Sequence, residues 1–150
     1  MKTVTYTYSV SVNVKPEVVF AYISDLTLHS EWNDHLSVEA VTPGPVKVGH
    51  QYISIGRTLY EKRRNELQVT GYQPPVTFAF VAQDPDFKDI THEFKVSPQA
   101  DGSLIERTVT VYMTPFFEFV WRWLIWPLIN RPENTRSMGV LKTQLERINK

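Results

Sequence analysis

Cysteine is missing from all 150 residues. That excludes a disulfide framework and thiolate chemistry, and favours a reducing compartment. Excess charge is missing too. Sixteen basic and sixteen acidic side chains cancel, so no overall field draws the chain to nucleic acid or to an acidic partner. The opening MKTVTYTYSV lacks the continuous apolar core of a signal peptide. The one hydrophobic block, 116–129, is too short to span a bilayer and carries Glu118, Arg122 and Pro127. A cytoplasmic location is the resulting expectation. Sharp motifs are absent as well: there is no phosphate-binding loop, dinucleotide fingerprint, nucleophile elbow or paired-histidine zinc motif. His29, His35, His50 and His92 are scattered without metal-ligand spacing. Neither metal nor cofactor is expected.

What is present is β-structure followed by one long helix. A chain of this length is about one domain, here 1–150, able to bury a core without staples. Residues 3–14 alternate, with Val4, Tyr6, Tyr8, Val10 and Val12 on one face and Thr or Ser on the other, the period-two signature of a half-buried strand. Lys15-Pro16-Glu17 starts a helix ending near Asp25, and a short helical turn is expected at 28–32. Strands follow at about 35–41, 49–60, 62–72, 76–82, 87–97 and 103–113, separated by Pro43-Gly44-Pro45, Gln73-Pro74-Pro75, Asp84-Pro85-Asp86 and Asp101-Gly102. Connections this short make the sheet antiparallel. After Pro115, the residues Met138, Leu141, Leu145 and Ile148 recur at steps of three and four, one stripe of an amphipathic helix that needs a sheet face to lie on. Pro127 should kink or interrupt the helical run. The fold class is α+β: seven antiparallel strands around a long C-terminal helix, with two short helices after the first strand.

That order of elements resembles the helix-grip (START- and Bet v 1-like) fold of the START-related, or SRPBCC, superfamily, in the branch of polyketide cyclases, dehydratases and lipid-transfer proteins. The residues that carry the resemblance are the helix Pro16 to Asp25, Trp32 after the second short helix, and Gly49 opening the third strand. Pro74-Pro75 closing a strand and the tail Leu141 to Glu146 complete it. It covers essentially the whole chain. It implies a cavity between sheet and terminal helix, used by relatives for binding, transport, cyclisation or dehydration; the fold does not settle which.

Polar residues on the apolar phase of strands are the candidates for chemistry. Arg63 and Asn65 share the phase of Leu67 and Val69; His92 shares that of Ile90 and Phe94; Arg107 shares that of Ile105, Val109, Val111 and Met113. Charged groups are seldom buried unless paired. Arg107, flanked by apolar residues at both i±2 positions, is the strongest of them, either as a partner for a ligand's carboxylate or phenol or as a partner for Glu93 or Glu106. A rim position for Arg63 and a satisfied core role for His92 compete with any functional role. Trp32, Tyr52, Phe78, Phe80 and Phe94, with Met113, Phe116 and Trp123, are expected to line an apolar cavity, against the plainer reading that each is simply core.

The aromatic block 116–126 is apolar nearly all round, with Glu118 and Arg122 an i,i+4 pair on one narrow stripe. Some of Phe117, Trp121 and Trp126 should stay outside the core, which suggests a partner. A homodimer contact, a gate over the cavity mouth and a membrane-surface contact compete, the last disfavoured by the missing basic face. The leading functional reading is binding or carriage of a small hydrophobic or aromatic molecule. The alternatives are a polyketide cyclase- or dehydratase-type enzyme, with His92 as general acid or base and Arg107 as oxyanion partner, and an interaction module using the aromatic surface. An enzyme requires at least two of Arg63, Asn65, His92 and Arg107 to converge; a carrier requires an apolar cavity with one polar anchor.

Overall fold

The computed structural model describes residues 2–57, 62–84 and 89–149. The opening alternation becomes β1 (Lys2–Val12), with Val4 and Val12 buried and Thr5, Thr7, Ser9 and Ser11 exposed. Pro16 opens α1 (Pro16–Ile23), which buries Val19, Phe20, Tyr22 and Ile23. Asp25 then caps a 3₁₀ helix (Leu26–Glu31), its carboxylate accepting from the Thr27 N–H. Six further strands follow: β2 (Leu36–Ala40), β3 (Gln51–Arg57), β4 (Lys62–Gln73), β5 (Thr77–Gln83), β6 (Ile90–Gln99) and β7 (Gly102–Met113). The expected end of the third strand at 58–60, the start of the sixth at 87–88, and the turn residues Pro85 and Asp86 lie outside the described residues. The strands form one sheet in the order β1-β7-β6-β5-β4-β3-β2, and all neighbours are antiparallel.

The β6–β7 hairpin turns tightly against the end of β1. A Cβ at Gly102 would stand 2.0 Å from the Val12 carbonyl oxygen and 2.8 Å from the Val14 nitrogen, both backbone atoms. The neighbouring Ser103 hydroxyl, fully buried, donates to the Val14 carbonyl at 2.6 Å. Glycine is therefore required by close approach. Gly102→Ala is expected to cost about 3 kcal/mol or more of unfolding free energy, read by urea denaturation; a loss below about 0.5 kcal/mol would mean that the β1 end moves aside freely.

From Pro115 the chain stays helical to Ile148. Thr114 caps α2 (Pro115–Val120), which runs into a π-helix (Trp121–Asn130) and then α3 (Arg131–Ile148). The kink or interruption expected at Pro127 takes the form of a change of winding, since the α-helical turns stop at Val120 and resume at Arg131. Pro127 lies inside the π-wound stretch, whose wider turn accommodates a residue that lacks an N–H and whose ring crowds the preceding turn. Met138, Leu141 and Leu145 of α3 pack with Phe78, Phe94, Val96 and Ile105 on the inward face of the sheet. Ile148, however, is 51% exposed, so the buried stripe stops one turn earlier than its spacing implies.

Candidate functional site

The middle of the sheet is filled. Trp32, Tyr52, Phe78, Phe80 and Phe94 belong to the core cluster with Leu141 and Leu145. His29, which sequence spacing did not single out, is set edge-on to Phe80 and Phe94. Its Nε2 donates to the Ile23 carbonyl at 2.8 Å. Burial lowers its pKa to about 4, so it is neutral at pH 7.

The open volume lies toward the β1 edge. There the π-helix stands off β1, β6 and β7 and leaves a half-open chamber of about 210 Å3. Tyr6 and Tyr8 enter from β1, His92 from β6, Arg107 and Val109 from β7, and Trp121 and Trp126 from the helix, with Asn130 and Asn134 at its far end. Strand register explains the grouping: Tyr8 sits opposite Arg107 across β1–β7, and Arg107 opposite Phe94 across β7–β6. The indole of Trp126 stacks on Tyr6 with centroids 3.5 Å apart and planes 15° apart. Two further hollows adjoin. One of about 270 Å3 shares Asn130 and Asn134 and includes Arg63 and Asn65; another of about 380 Å3 shares Tyr8 and Trp126.

Arg107 is the centre of the chamber's electrostatics. It is only 8% exposed, yet it meets no carboxylate among the described residues. Its Nη1 donates to Asn134 Oδ1 at 3.3 Å and its Nη2 to His92 Nδ1 at 3.4 Å, both long. The guanidinium also faces the rings of Trp32 and Phe94, 5.6 and 5.7 Å from their centroids. Burial lowers its pKa to about 10, which leaves it cationic at pH 7. His92, stacked on Phe80 at 4.6 Å, is held well below the usual imidazole range, by burial first and then by the Arg107 charge. With Nδ1 accepting from Arg107, the ring proton of neutral His92 sits on Nε2. Burial pushes the Tyr8 phenol up to about 12. Four buried polar atoms of the lining find no hydrogen-bond partner of good geometry among the described residues: the Tyr6 and Tyr8 hydroxyls, Arg107 Nε and Trp121 Nε1. The Trp121 indole N–H lies close enough to the Tyr6 hydroxyl to act on it as a donor, which partly offsets the rise in its pKa that burial causes.

Comparison with known proteins places this geometry. The family model described as polyketide cyclase/dehydrase and lipid transport matches residues 3–146. The chain belongs to that family. No curated protein matches the sequence. Among solved structures, the chain superposes on the Zhui aromatase/cyclase from Streptomyces sp. R1128 with a TM-score of 0.77 at 11% identity, covering 99% of this chain and 97% of that one. A protein of Thermus thermophilus gives a TM-score of 0.76 at 16% identity, covering 99% and 100%. Ara h 8.0201 gives 0.69 at 12%, covering 96% and 98%. These likenesses show that the polyketide cyclase/dehydrase family member has the helix-grip fold.

Within this family member, the residues singled out in the sequence separate clearly. His92 and Arg107 meet in the chamber. Arg63 and Asn65 point inward as their phase implies, but into the adjoining hollow, where Arg63 is ion-paired with Asp84 at 3.1 Å. Arg107 pairs with neither Glu93 nor Glu106; Glu93 lies beside Lys95 instead. Trp32, Phe78, Phe80 and Phe94 are core rather than chamber lining, and Met113 packs in a smaller cluster with Val4 and Val111. Tyr52 is buried in the core and reaches only a polar hollow on β3 and β4. Phe116 and Trp123, expected in the cavity, are 79% and 66% exposed on the outer side of the helix. Phe117, Trp121 and Trp126, expected as an outer contact surface, are half-buried, while Phe116, Phe119, Trp123, Leu124, Leu128 and Ile129 form the exposed apolar side of the block. Phe117 and Trp121 pack toward Val4, Val111 and Met113, and Trp126 covers Tyr6. The Glu118–Arg122 pair is present, closing at 2.7 Å. Tyr6, Tyr8, Asn130 and Asn134 are the site residues that sequence reasoning passed over. Their signal was faint: two phenols at i,i+2 on one strand face, and two amides at i,i+4 on a helix. Among the described residues, no three His, Asp or Glu side chains gather as metal ligands, and no helix is long and apolar enough to cross a membrane.

Proposed function

We propose that the chain binds and carries a small hydrophobic or aromatic molecule in the chamber between β1, β6, β7 and the π-helix. The observation that carries this reading is an aromatic-walled hollow holding one buried cation and several donors without partners. Ligand sites combine apolar walls with a few fixed polar groups in this way. At about 210 Å3 the chamber is smaller than the roughly 300–1,000 Å3 of drug-sized sites, which favours a one- or two-ring molecule. The family's description includes lipid transport, and one fold relative is an aromatase/cyclase; both roles require an aromatic or oily molecule inside the grip. Native mass spectrometry of the purified protein, followed by thermal shift against small aromatics, tests the proposal. Binding is expected in the wild type, with at least a tenfold loss in Val109→Phe, which fills the chamber from β7. No binder across the panel, or a filled variant that binds as well, would refute it.

The convergence of His92 and Arg107 favours cyclase- or dehydratase-type catalysis as a second reading. With Nδ1 turned to Arg107, His92 offers an N–H donor, so the pair would polarise a ligand carbonyl and stabilise its enolate. On this geometry, proton abstraction by His92 is not the first role. Turnover of a poly-β-ketone by the wild type and its loss in His92→Phe, with binding kept, is the expected mark of that activity.

A further inference from the structure

Arg107 places a full charge in a low-dielectric site where no described residue beside it cancels that charge. The neighbours that do approach are neutral. Asn134 and His92 accept at long distances, and two aromatic faces supply quadrupoles rather than ions. Tyr8 is the one lining phenol able to supply negative charge directly opposite Arg107. With its pKa pushed up to about 12, it stays protonated at pH 7. Glu118 of α2 lies outside the lining and is occupied by Arg122 at 2.7 Å and Lys2 at 3.6 Å, and Glu133, next to Asn134, lines the adjoining hollow and approaches His35 at 3.5 Å. A buried charge left uncompensated costs several kcal/mol, and a protein retains one where something else completes it.

The unfilled polar atoms share one character. Arg107 Nε and Trp121 Nε1 can only donate, and the Tyr6 and Tyr8 hydroxyls are each free to donate. Among the described residues, no aspartate or glutamate lines the chamber. A neutral apolar guest would leave Arg107 Nε and the Tyr8 hydroxyl without partners, whereas the Trp121 N–H already lies against the Tyr6 hydroxyl. A guest that brings negative oxygen would satisfy both at once. Arg107 Nε–H and an adjacent Nη–H form one edge of the guanidinium, the planar two-donor arrangement that a carboxylate matches with both oxygens.

We infer that the chamber selects anions, and that its ligand is an aromatic or hydrophobic carboxylate whose oxygens meet Arg107 and the Tyr8 hydroxyl while its ring lies against Trp126. The inference rests on the ligand-binding reading above and narrows its chemical class. The aromatic walls select the body of the molecule, and the donor set selects its head.

Isothermal titration of the full chain at pH 7 with 2-naphthoate and 2-naphthamide tests it, since the two probes match in shape and differ in charge. The carboxylate is expected to bind at least tenfold more tightly than the amide. Arg107→Met is expected to abolish that preference, and Tyr8→Phe to reduce it severalfold. An amide that binds as tightly as the carboxylate overturns the anion inference while leaving the ligand site in place. Carboxylate preference that survives in Arg107→Met also overturns it. If neither probe binds, the chamber is not an aromatic site and both readings fall. Should Arg107→Met not fold, the wild-type comparison of the two probes and the Tyr8→Phe titration still decide.

Discussion

Between pH 7 and pH 4 the folded protein is expected to lose about 3 kcal/mol of stability through His29 alone. In the unfolded chain this imidazole titrates near 6.5, whereas burial holds it at about 4 in the fold. The unfolded state therefore binds more protons over that interval, and stability rises with pH across it. The contribution is fully present above pH 6.5, falls as pH drops, and levels off below about 4. Each unit of difference is worth about 1.4 kcal/mol. His92, lowered in the same direction, adds to the loss. Urea melts at half-unit pH steps measure the profile. His29→Phe removes the titrating ring but leaves the Ile23 carbonyl without its donor, so it should be about 1–3 kcal/mol less stable at pH 7 and visibly flatter toward pH 4. A wild-type profile that is level from pH 7 to 4 would show that His29 is not held neutral.

Phe94→Ala is expected to destabilise the fold by about 4 kcal/mol, in the range for emptying a large buried aromatic. Phe94 is fully buried and touches both halves of the molecule's business. It packs against Phe78, Trp32 and His29 in the filled core, and its ring is one of the two that face the Arg107 guanidinium. The substitution should therefore lower ligand affinity as well as stability, although Phe94 does not line the chamber. Phe94→Leu, which keeps most of the volume, should recover more than half of the stability but not the ring face beneath Arg107. If Phe94→Ala cost less than about 1 kcal/mol, the core would have collapsed around the gap.

Much of this architecture was legible because its signals are local. The alternation of Val4 to Val12 is a property of one strand, and Asp101-Gly102 and Gln73-Pro74-Pro75 mark turns where they stand. Met138, Leu141 and Leu145 announce the gripped face of α3. Inward phase also placed Arg107 and His92 correctly, because period two survives any arrangement of neighbouring strands. The π-helix defeated the same logic. At about 100° per residue, positions five apart fall roughly 140° from one another, which sets Trp121 and Trp126 on different sides. The π winding, with its i→i+5 bonding, brings both to the chamber instead. Phe116, in the α-wound turns before the π stretch, and Trp123, within it, face solvent instead of the cavity. Which aromatics would fill the core and which would border a space was not legible, since that depends on how far the helix stands from the sheet.

The register of β1 against β7 has a consequence for how the molecule comes into being. It joins Thr5 to Thr110, 105 positions along the chain, and the chamber needs Tyr6 and Tyr8 from one end together with Asn130 and Asn134 from the other. Pairings of such long range close late and slowly, because loop entropy opposes them until the intervening strands are ordered. On the ribosome, Tyr6 and Tyr8 must wait until Asn134 has emerged. Ligand added during synthesis would meet no receptor before that point.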